Sequence, residues 1–225
     1  MPLIISIDGP SGAGKSTLGR MLARELNLLY LDTGAMYRAV ALAVLESGLS
    51  TSDARSVAEL AAQAKLSLSG DPDSLRVALD GRDVSEAIRT EEVSQTASII
   101  STIPEVRRTL VRQQRELGRQ GGVVLDGRDA GTVVFPDADV KFFLTAAPEK
   151  RAERRYEEDR MKSRDTSFEQ TLADIGVRDR RDVTRADSPL APAPDAVLID
   201  STELSIEEVF EQMMKAIRER LTTKR

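Results

Sequence analysis

Residues Gly9-Pro10-Ser11-Gly12-Ala13-Gly14-Lys15-Ser16-Thr17 could hold the phosphates of a nucleoside triphosphate. They fit the spacing G-x-x-x-x-G-K-[ST], with Gly9, Gly14, Lys15 and Ser16 at the defining positions. A loop that wraps a phosphate chain must turn its backbone N–H groups inward, through conformations that side chains obstruct. Gly9, Gly12 and Gly14 permit that path. Lys15 is expected to face solvent in the preformed loop and to bring a flexible point charge to the β and γ phosphates. The Ser16 hydroxyl is placed to ligate Mg²⁺ at the start of a helix, whose N-terminal dipole favours anions.

Binding a triphosphate does not define a reaction, and three further clusters offer the rest. Asp32-Thr33-Gly34-Ala35-Met36-Tyr37-Arg38 combines a helix start with an arginine, a suitable phosphate site. Asp126-Gly127-Arg128-Asp129 follows an apolar run, and Asp126 stands where folds of this kind place the carboxylate of a Mg²⁺ shell. Charges directly after a buried strand are costly unless they face a polar cleft. In Arg178-Asp179-Arg180-Arg181-Asp182-Val183-Thr184-Arg185, a helix would put Arg178, Arg181, Asp182 and Arg185 on one face. Guanidinium forks match phosphate oxygens bidentately. Each cluster alone also fits an N-cap, a turn or a solvated charged face.

The elements that must position these clusters alternate strand and helix. Leu3–Ile7, Leu28–Leu31, Gly122–Asp126, Val140–Leu144 and Ala196–Asp200 read as five buried strands. Helices are expected over Lys15–Leu26, Ala35–Glu46 (capped by Gly48), Asp53 to about Ala64, and Ser85–Ile100 with a break near Arg89. Others are expected from Pro104 to Gln120, Pro148 to Ser163, Ser167 to Ala186, and after the capping box Ser205-Ile206-Glu207-Glu208. Leu66–Ser69 and Leu75–Leu79 alternate with period two around turn residues, and Asp80-Gly81 marks a second turn. The pattern predicts an α/β protein with a five-stranded parallel sheet, helices on both faces and a small inserted antiparallel sheet.

Composition narrows the chemistry. Histidine, cysteine and tryptophan are absent, which removes Cys/His zinc sites, disulfides and Cys–His or Ser–His nucleophiles. The net charge of −5 gives no reason to expect nucleic acid or an anionic membrane as partner. Residue 1 leads directly into a strand, without the pattern of a signal peptide, and no apolar run approaches membrane length. A cytoplasmic protein is expected, with a monomer as the default.

Together these residues resemble the bacterial cytidylate kinases nearly end to end, from Ile7-Asp8-Gly9 to the last capping box. The more specific stretches are Leu31–Arg38 and Asp126-Gly127-Arg128-Asp129-Ala130-Gly131-Thr132-Val133-Val134-Phe135-Pro136-Asp137. Thr33 stands where some members carry Ser, and it keeps the hydroxyl. The resemblance implies a P-loop kinase fold with 1–34, 101–147 and 188–225 as its core. Segment 35–100 would be an enlarged monophosphate-binding region, and 148–187 a helical lid with the arginine-rich helix. It implies transfer of the γ-phosphoryl group of ATP to CMP or dCMP. Ser98, Arg107 and Asp129 would read the cytosine, and Arg178 and Asp182 the sugar. Arg38, Arg128 and Arg185 would hold the acceptor phosphate, with Thr33 and Tyr37 beside it. Arg154 and Arg155 would belong to the lid on the ATP side.

Phosphoryl transfer is mostly alignment and charge stabilisation, and a monophosphate acceptor is already an oxyanion. Lys15, Arg128, Arg185 and Mg²⁺ therefore suffice without a strong general base. Two other readings remain open at this level. One is a P-loop kinase for a different small acceptor, where Asp32 could serve as base to a hydroxyl; the other is a nucleotide-dependent switch acting on a partner protein.

Overall fold

In the computed structural model, which describes residues 2–161 and 166–223, strand and helix alternate from the start. Ile4–Asp8 (β1), Lys15–Glu25 (α1), Leu29–Asp32 (β2), Thr33–Glu46 (α2) and Ala54–Gln63 (α3) come first. Leu66–Ser69 (β3), Arg76–Leu79 (β4) and Arg82–Asp83 (β5) follow, then Glu91–Ile100 (α4) and Pro104–Leu117 (α5). The second half holds Val123–Gly127 (β6), Val140–Thr145 (β7), Pro148–Met161 (α6), Phe168–Thr184 (α7), Val197–Asp200 (β8) and Ile206–Thr223 (α8). The end of the helix expected to reach Ser163 lies outside the described residues.

A five-stranded sheet runs in the order β2-β6-β1-β7-β8, with every pairing parallel. β3, β4 and β5 form the separate antiparallel sheet. Period-two alternation divides the core in two. Val123 and Leu125 of β6 face a cluster with Met36, Val40, Ile100, Val106 and Leu110, which α2, α4 and α5 supply. Val124, with Ile5 and Ile7 of β1, faces the opposite cluster, filled by Leu18 and Leu22 of α1 and Val209, Met213 and Ile217 of α8. Both faces of the central strands are thus covered, as their unbroken apolar character requires.

Local chemistry fixes the ends of the helices. Asp32 and Asp53 cap α2 and α3, accepting from the backbone N–H of Ala35 and Ser56. Gly48, just past α2, sits at φ 67°, the left-handed conformation of a glycine stop. The capping box ahead of α8 is reciprocal: Ser205 N–H donates to Glu208 Oε2 at 2.8 Å, and Glu208 N–H to Ser205 Oγ at 3.2 Å. The expected helix over 85–100 is two pieces, a 3₁₀ turn at Ala87–Arg89 and then α4, whose N-cap Thr90 accepts from Val93 N–H.

Three differences from the sequence expectation matter for the site. β1 extends one residue beyond Ile7, so Asp8 is a buried strand residue. After Asp129 the backbone makes a π-helical turn, Ala130–Val134, which no periodicity signals. α7 ends at Thr184, and Arg185 is already extended, at φ −61° and ψ 140°. The expected continuous helical face therefore stops at Asp182, and Arg185 turns inward, 8% exposed.

Candidate active site

The C-terminal ends of β1, β2 and β6 meet at one edge of the sheet, with Asp32 in register with Asp126 and Asp8 with Gly127. That edge is where open α/β sheets form their ligand crevice. Between β1 and α1 the loop 9–14 turns through left-handed glycines, among them Gly14, at φ 93° the N-cap of α1. Gly9 leaves no choice: at φ 147° an added Cβ would lie 1.9 Å from the Leu144 carbonyl oxygen. Lys15 is 7% exposed rather than solvent-facing, and its Nζ donates to the Pro10 carbonyl at 2.7 Å. Burial, then the Arg128 guanidinium, hold its ammonium well below the usual lysine range. An anion arriving at the loop would reverse that balance.

Ser16 Oγ donates to Asp126 Oδ2 at 2.5 Å. Burial, and after it the Asp32 carboxylate, raise the Asp126 carboxyl above its ordinary value. Its other oxygen, Oδ1, is buried with no hydrogen-bond partner. Thr33 Oγ1 donates to the Asp126 carbonyl at 2.7 Å and so ties the start of α2 to the end of β6. Asp32, besides capping α2, accepts from Arg38 Nη2 at 2.9 Å.

The turn after β6 carries the buried carboxylate of Asp129. Asp129 pairs with Arg107 Nη2, and Arg107 is 2% exposed. Arg107 also donates to the Ser101 carbonyl and lies over the Tyr37 ring, 5.8 Å from its centroid. Asp8 shapes the turn from below. Its two oxygens accept from Ala130 N–H and Gly131 N–H, each at 2.7 Å. Those bonds favour the carboxylate, yet burial outweighs them and raises its pKa to about 6. Gly131 is needed there, because a Cβ would meet Ser6 Oγ at 2.5 Å.

α6 and α7 close the cavity from above. Arg128 Nε donates to Asp182 Oδ2 at 2.6 Å. Burial works against the Asp182 carboxylate, but Arg128 and Arg185 prevail and hold it below its usual range. Arg178 Nη2 donates to Glu91 at 2.6 Å, and Arg155 approaches the other oxygen of Glu91 at 3.4 Å. Arg185 Nε donates to the Ser188 carbonyl at 2.7 Å, and its guanidinium lies 3.9 Å from Asp129 and 3.6 Å from Asp182. Arg154 donates to the carbonyl and hydroxyl of Ser201, whose hydroxyl reaches back to the loop at the Ala13 carbonyl. Ser98 accepts from Arg181 at 3.4 Å.

One cavity of about 790 Å³ joins these groups. It is lined by Ser11 to Thr17, by Thr33, Tyr37, Arg38 and Ser98, and by Arg107, Asp126, Arg128 and Asp129. From above come Arg154, Arg155, Arg178, Asp182 and Arg185. Of the residues singled out in the sequence, Gly9 and Pro10 do not line it; they shape the loop from behind. Sequence reasoning missed Arg89, Lys150 and Arg151 among others. Arg89 and Lys150 line the cavity. Arg151, 3% exposed, donates to the Ser11 carbonyl at 3.0 Å and to Asp179 at 2.6 Å, joining loop, α6 and α7. No local pattern marks Arg151, since Ser11 and Asp179 are remote in the chain.

Comparison with known proteins is consistent with this geometry. The family model described as cytidylate kinase matches residues 5–219. A cytidylate kinase from Solibacter usitatus is 51% identical over 225 residues, covering 99% of this chain and 95% of that one. One from Geobacter sp. (strain M21) is 48% identical, covering 97% and 94%. Among solved structures, an uncharacterised protein from Eubacterium ventriosum superposes with a TM-score of 0.53 at 13% identity, covering 96% of this chain and 98% of that one. That likeness speaks to the fold alone.

Proposed function

The chain belongs to the cytidylate kinase family, and from that premise we propose how its cleft divides the work of moving the γ-phosphoryl group of ATP to CMP. The observation that carries the reading is the single cavity in which the 11–17 loop faces the buried Arg107–Asp129 pair. The site arginines lie around and between them. Segment 35–100 is the acceptor-binding region, 148–187 the lid, and the rest the core.

The loop and Lys15 take the ATP phosphates. Arg154, held beside the loop by Ser201, and Arg155 serve the donor from the lid. Ser16 and Asp126 would hold Mg²⁺: both offer oxygen, and Asp126 Oδ1 is buried with its hydrogen-bonding capacity unused. The ion would neutralise charge on the donor phosphates when bound.

Arg38, Arg128 and Arg185 hold the acceptor phosphate, with Thr33 and Tyr37 fixing that wall. Asp129 and Ser98 accept from the exocyclic amine of cytosine, and Arg107 donates to its ring acceptors. Arg178 and Asp182 hold the sugar, and dCMP is an acceptor beside CMP. The phosphoryl group passes between two phosphates, so no side chain need remove a proton. Arg128 and Arg185 stabilise the charge spread over the equatorial oxygens, and the closed lid excludes water.

A monomer is proposed as the working unit. Among the described residues no helix is long and apolar enough to cross a membrane, in keeping with a cytoplasmic enzyme. The test is ATP-dependent ADP release with CMP, dCMP, UMP, AMP and GMP as acceptors. CMP and dCMP should lead the panel. Equal use of UMP, or phosphate release without an acceptor, would overturn the assignment of Asp129 and Arg107 to the base.

A further inference from the structure

A second cavity, of about 490 Å³, lies behind α5 on the far side of Arg107. Arg108, Arg112 and Arg115 follow one another at intervals of four and three residues, so they form one stripe along that helix, and Arg119 extends it from the turn just past the helix end. All four line the cavity, and Val111 and Val133 give it an apolar floor. We propose that this cavity is a second anion site, which takes a triphosphate group and weakens the hold on CMP when filled. The coupling to CMP rests on Arg107 and Asp129 reading the base; the anion site itself does not.

The guanidiniums of Arg108, Arg112 and Arg119 are available. Among the described residues Arg112 makes no hydrogen bond or ion pair. Among the described residues Arg108 pairs only with Glu105 and Arg119, in the turn after the helix, only with Glu116, at side-chain exposures of 55–70%. Such exposed pairs are weak and exchange readily for a stronger anion. Two carboxylates share the wall, but Glu116 is engaged by Arg119 and Asp187 accepts from Ser188 Oγ at 2.7 Å. With Arg107 included, five guanidiniums line the cavity against Glu116 and Asp187 on its wall and Glu105 and Asp129, the partners of Arg108 and Arg107, which leaves a local charge of +1 in a chain whose net charge is −5. The local potential is therefore opposite to that of the molecule.

The walls of this cavity also support the base and phosphate sites. Arg107 lines both cavities, and its Nε is buried without a partner while its other nitrogens serve Asp129 and Ser101. Arg115 donates to the carbonyls of Val133 and Val134 at 2.6 and 3.0 Å, so it grips the π-helical turn that follows Asp129. Ser188, on the opposite wall, accepts from Arg185. A polyanion on the stripe competes with Asp129 for Arg107, and cytosine then meets a displaced donor and acceptor. The sign is fixed: an occupant raises KM for CMP.

The probe is sodium tripolyphosphate, titrated calorimetrically into the full chain saturated with CMP, Mg²⁺ and a non-hydrolysable ATP analogue. We expect one site per chain. Affinity should fall at least tenfold in Arg112→Glu/Arg119→Glu and persist in Arg55→Glu/Arg218→Glu, an equal charge change elsewhere on the surface. Arg112→Gln/Arg119→Gln, a gentler change, serves if the first variant does not fold. At saturating ATP, tripolyphosphate should raise KM for CMP severalfold in the parent protein and not in the stripe variant. No heat beyond the saturated active site, or equal loss in both charge variants, overturns the site. Binding without a shift in KM overturns the coupling. A parallel titration with CTP tells a nucleoside-borne triphosphate from a free one, by whether it binds tighter. Failure of the base reading appears separately, in acceptor selectivity measured without the probe.

Discussion

Asp129 sits between two buried guanidiniums, and removing its charge should affect specificity and stability in separable ways. Its side chain is 10% exposed, that of Arg107 2% and that of Arg185 3%. Asp129→Ala would leave Arg107 buried without its anion, a change worth about 3–5 kcal/mol. In a domain of this size each kcal/mol moves Tm by roughly 2–4 °C, so a fall of about 6–20 °C is expected. Arg107→Met/Asp129→Leu removes both partners and fills the space with apolar atoms, which at similar volume is often neutral or stabilising. Most of the lost Tm should return while use of CMP collapses. Asp129→Asn keeps the shape, and its amide can present oxygen or NH₂ to the base. Uracil offers a carbonyl where cytosine has its amine, and a carboxylate cannot donate to it. Such a mismatch can be worth ~10⁴ in kcat/KM, and Asp129→Asn should erase much of it. The assay is kcat/KM for CMP and UMP beside thermal melts of the three variants. An unchanged CMP/UMP ratio in Asp129→Asn, or a double variant no more stable than Asp129→Ala, would refute the reasoning.

Lys15→Met should lower kcat by about 10³-fold, the scale seen when a charge-stabilising donor is lost; near-normal turnover in the folded variant counts against the loop assignment. Arg185→Ala should reduce kcat/KM for CMP and also lower Tm. A side chain 3% exposed between Asp129 and Asp182 is not a surface charge, and a melt beside the kinetics checks both effects. Asp8 titrates higher folded than unfolded, at about 6 against 3.8. Its contribution to stability is therefore complete below pH ~4 and lost as pH rises through about 6. Asp8→Asn should flatten that part of the stability profile and raise KM for CMP more than KM for ATP, because the turn bearing Asp129 loses an acceptor.

The sheet, the order of its elements and the phosphate loop were legible in the sequence because their signals are local. Apolar runs of strand length, helical spacing and glycine positions all act within a few residues. The capping box of α8 and the glycine stop of α2 are of the same kind. Asp8 and Arg151 were not legible, because what defines them is remote. Asp8 is completed by N–H groups 122 and 123 residues away, and Arg151 by a carbonyl 140 residues away. The helical spacing Arg178–Arg185 gave a plausible face, but the chain leaves the helix after Thr184 and tucks Arg185 against Ser188 and Asp129 instead.

The same distance hides how the arginines are held. Sequence inspection finds a surplus of guanidiniums near the proposed acceptor phosphate and says nothing of what restrains them without substrate. In the structure carboxylates hold them: Arg38 pairs with Asp32, Arg107 with Asp129, Arg128 with Asp182 and Arg178 with Glu91, while Arg185 shares Asp129 and Asp182 and Arg155 shares Glu91. The separations of the first four pairs are 6, 22, 54 and 87 residues, so only the first lies within one motif. These pairs keep like charges from repelling one another in a cleft that also holds Lys15, and they fix donor directions before the acceptor arrives. A monophosphate that enters need not organise its ligands. It adds to forks already aimed, which is the condition under which fixed dipoles and charges act without reorganisation at the moment of transfer.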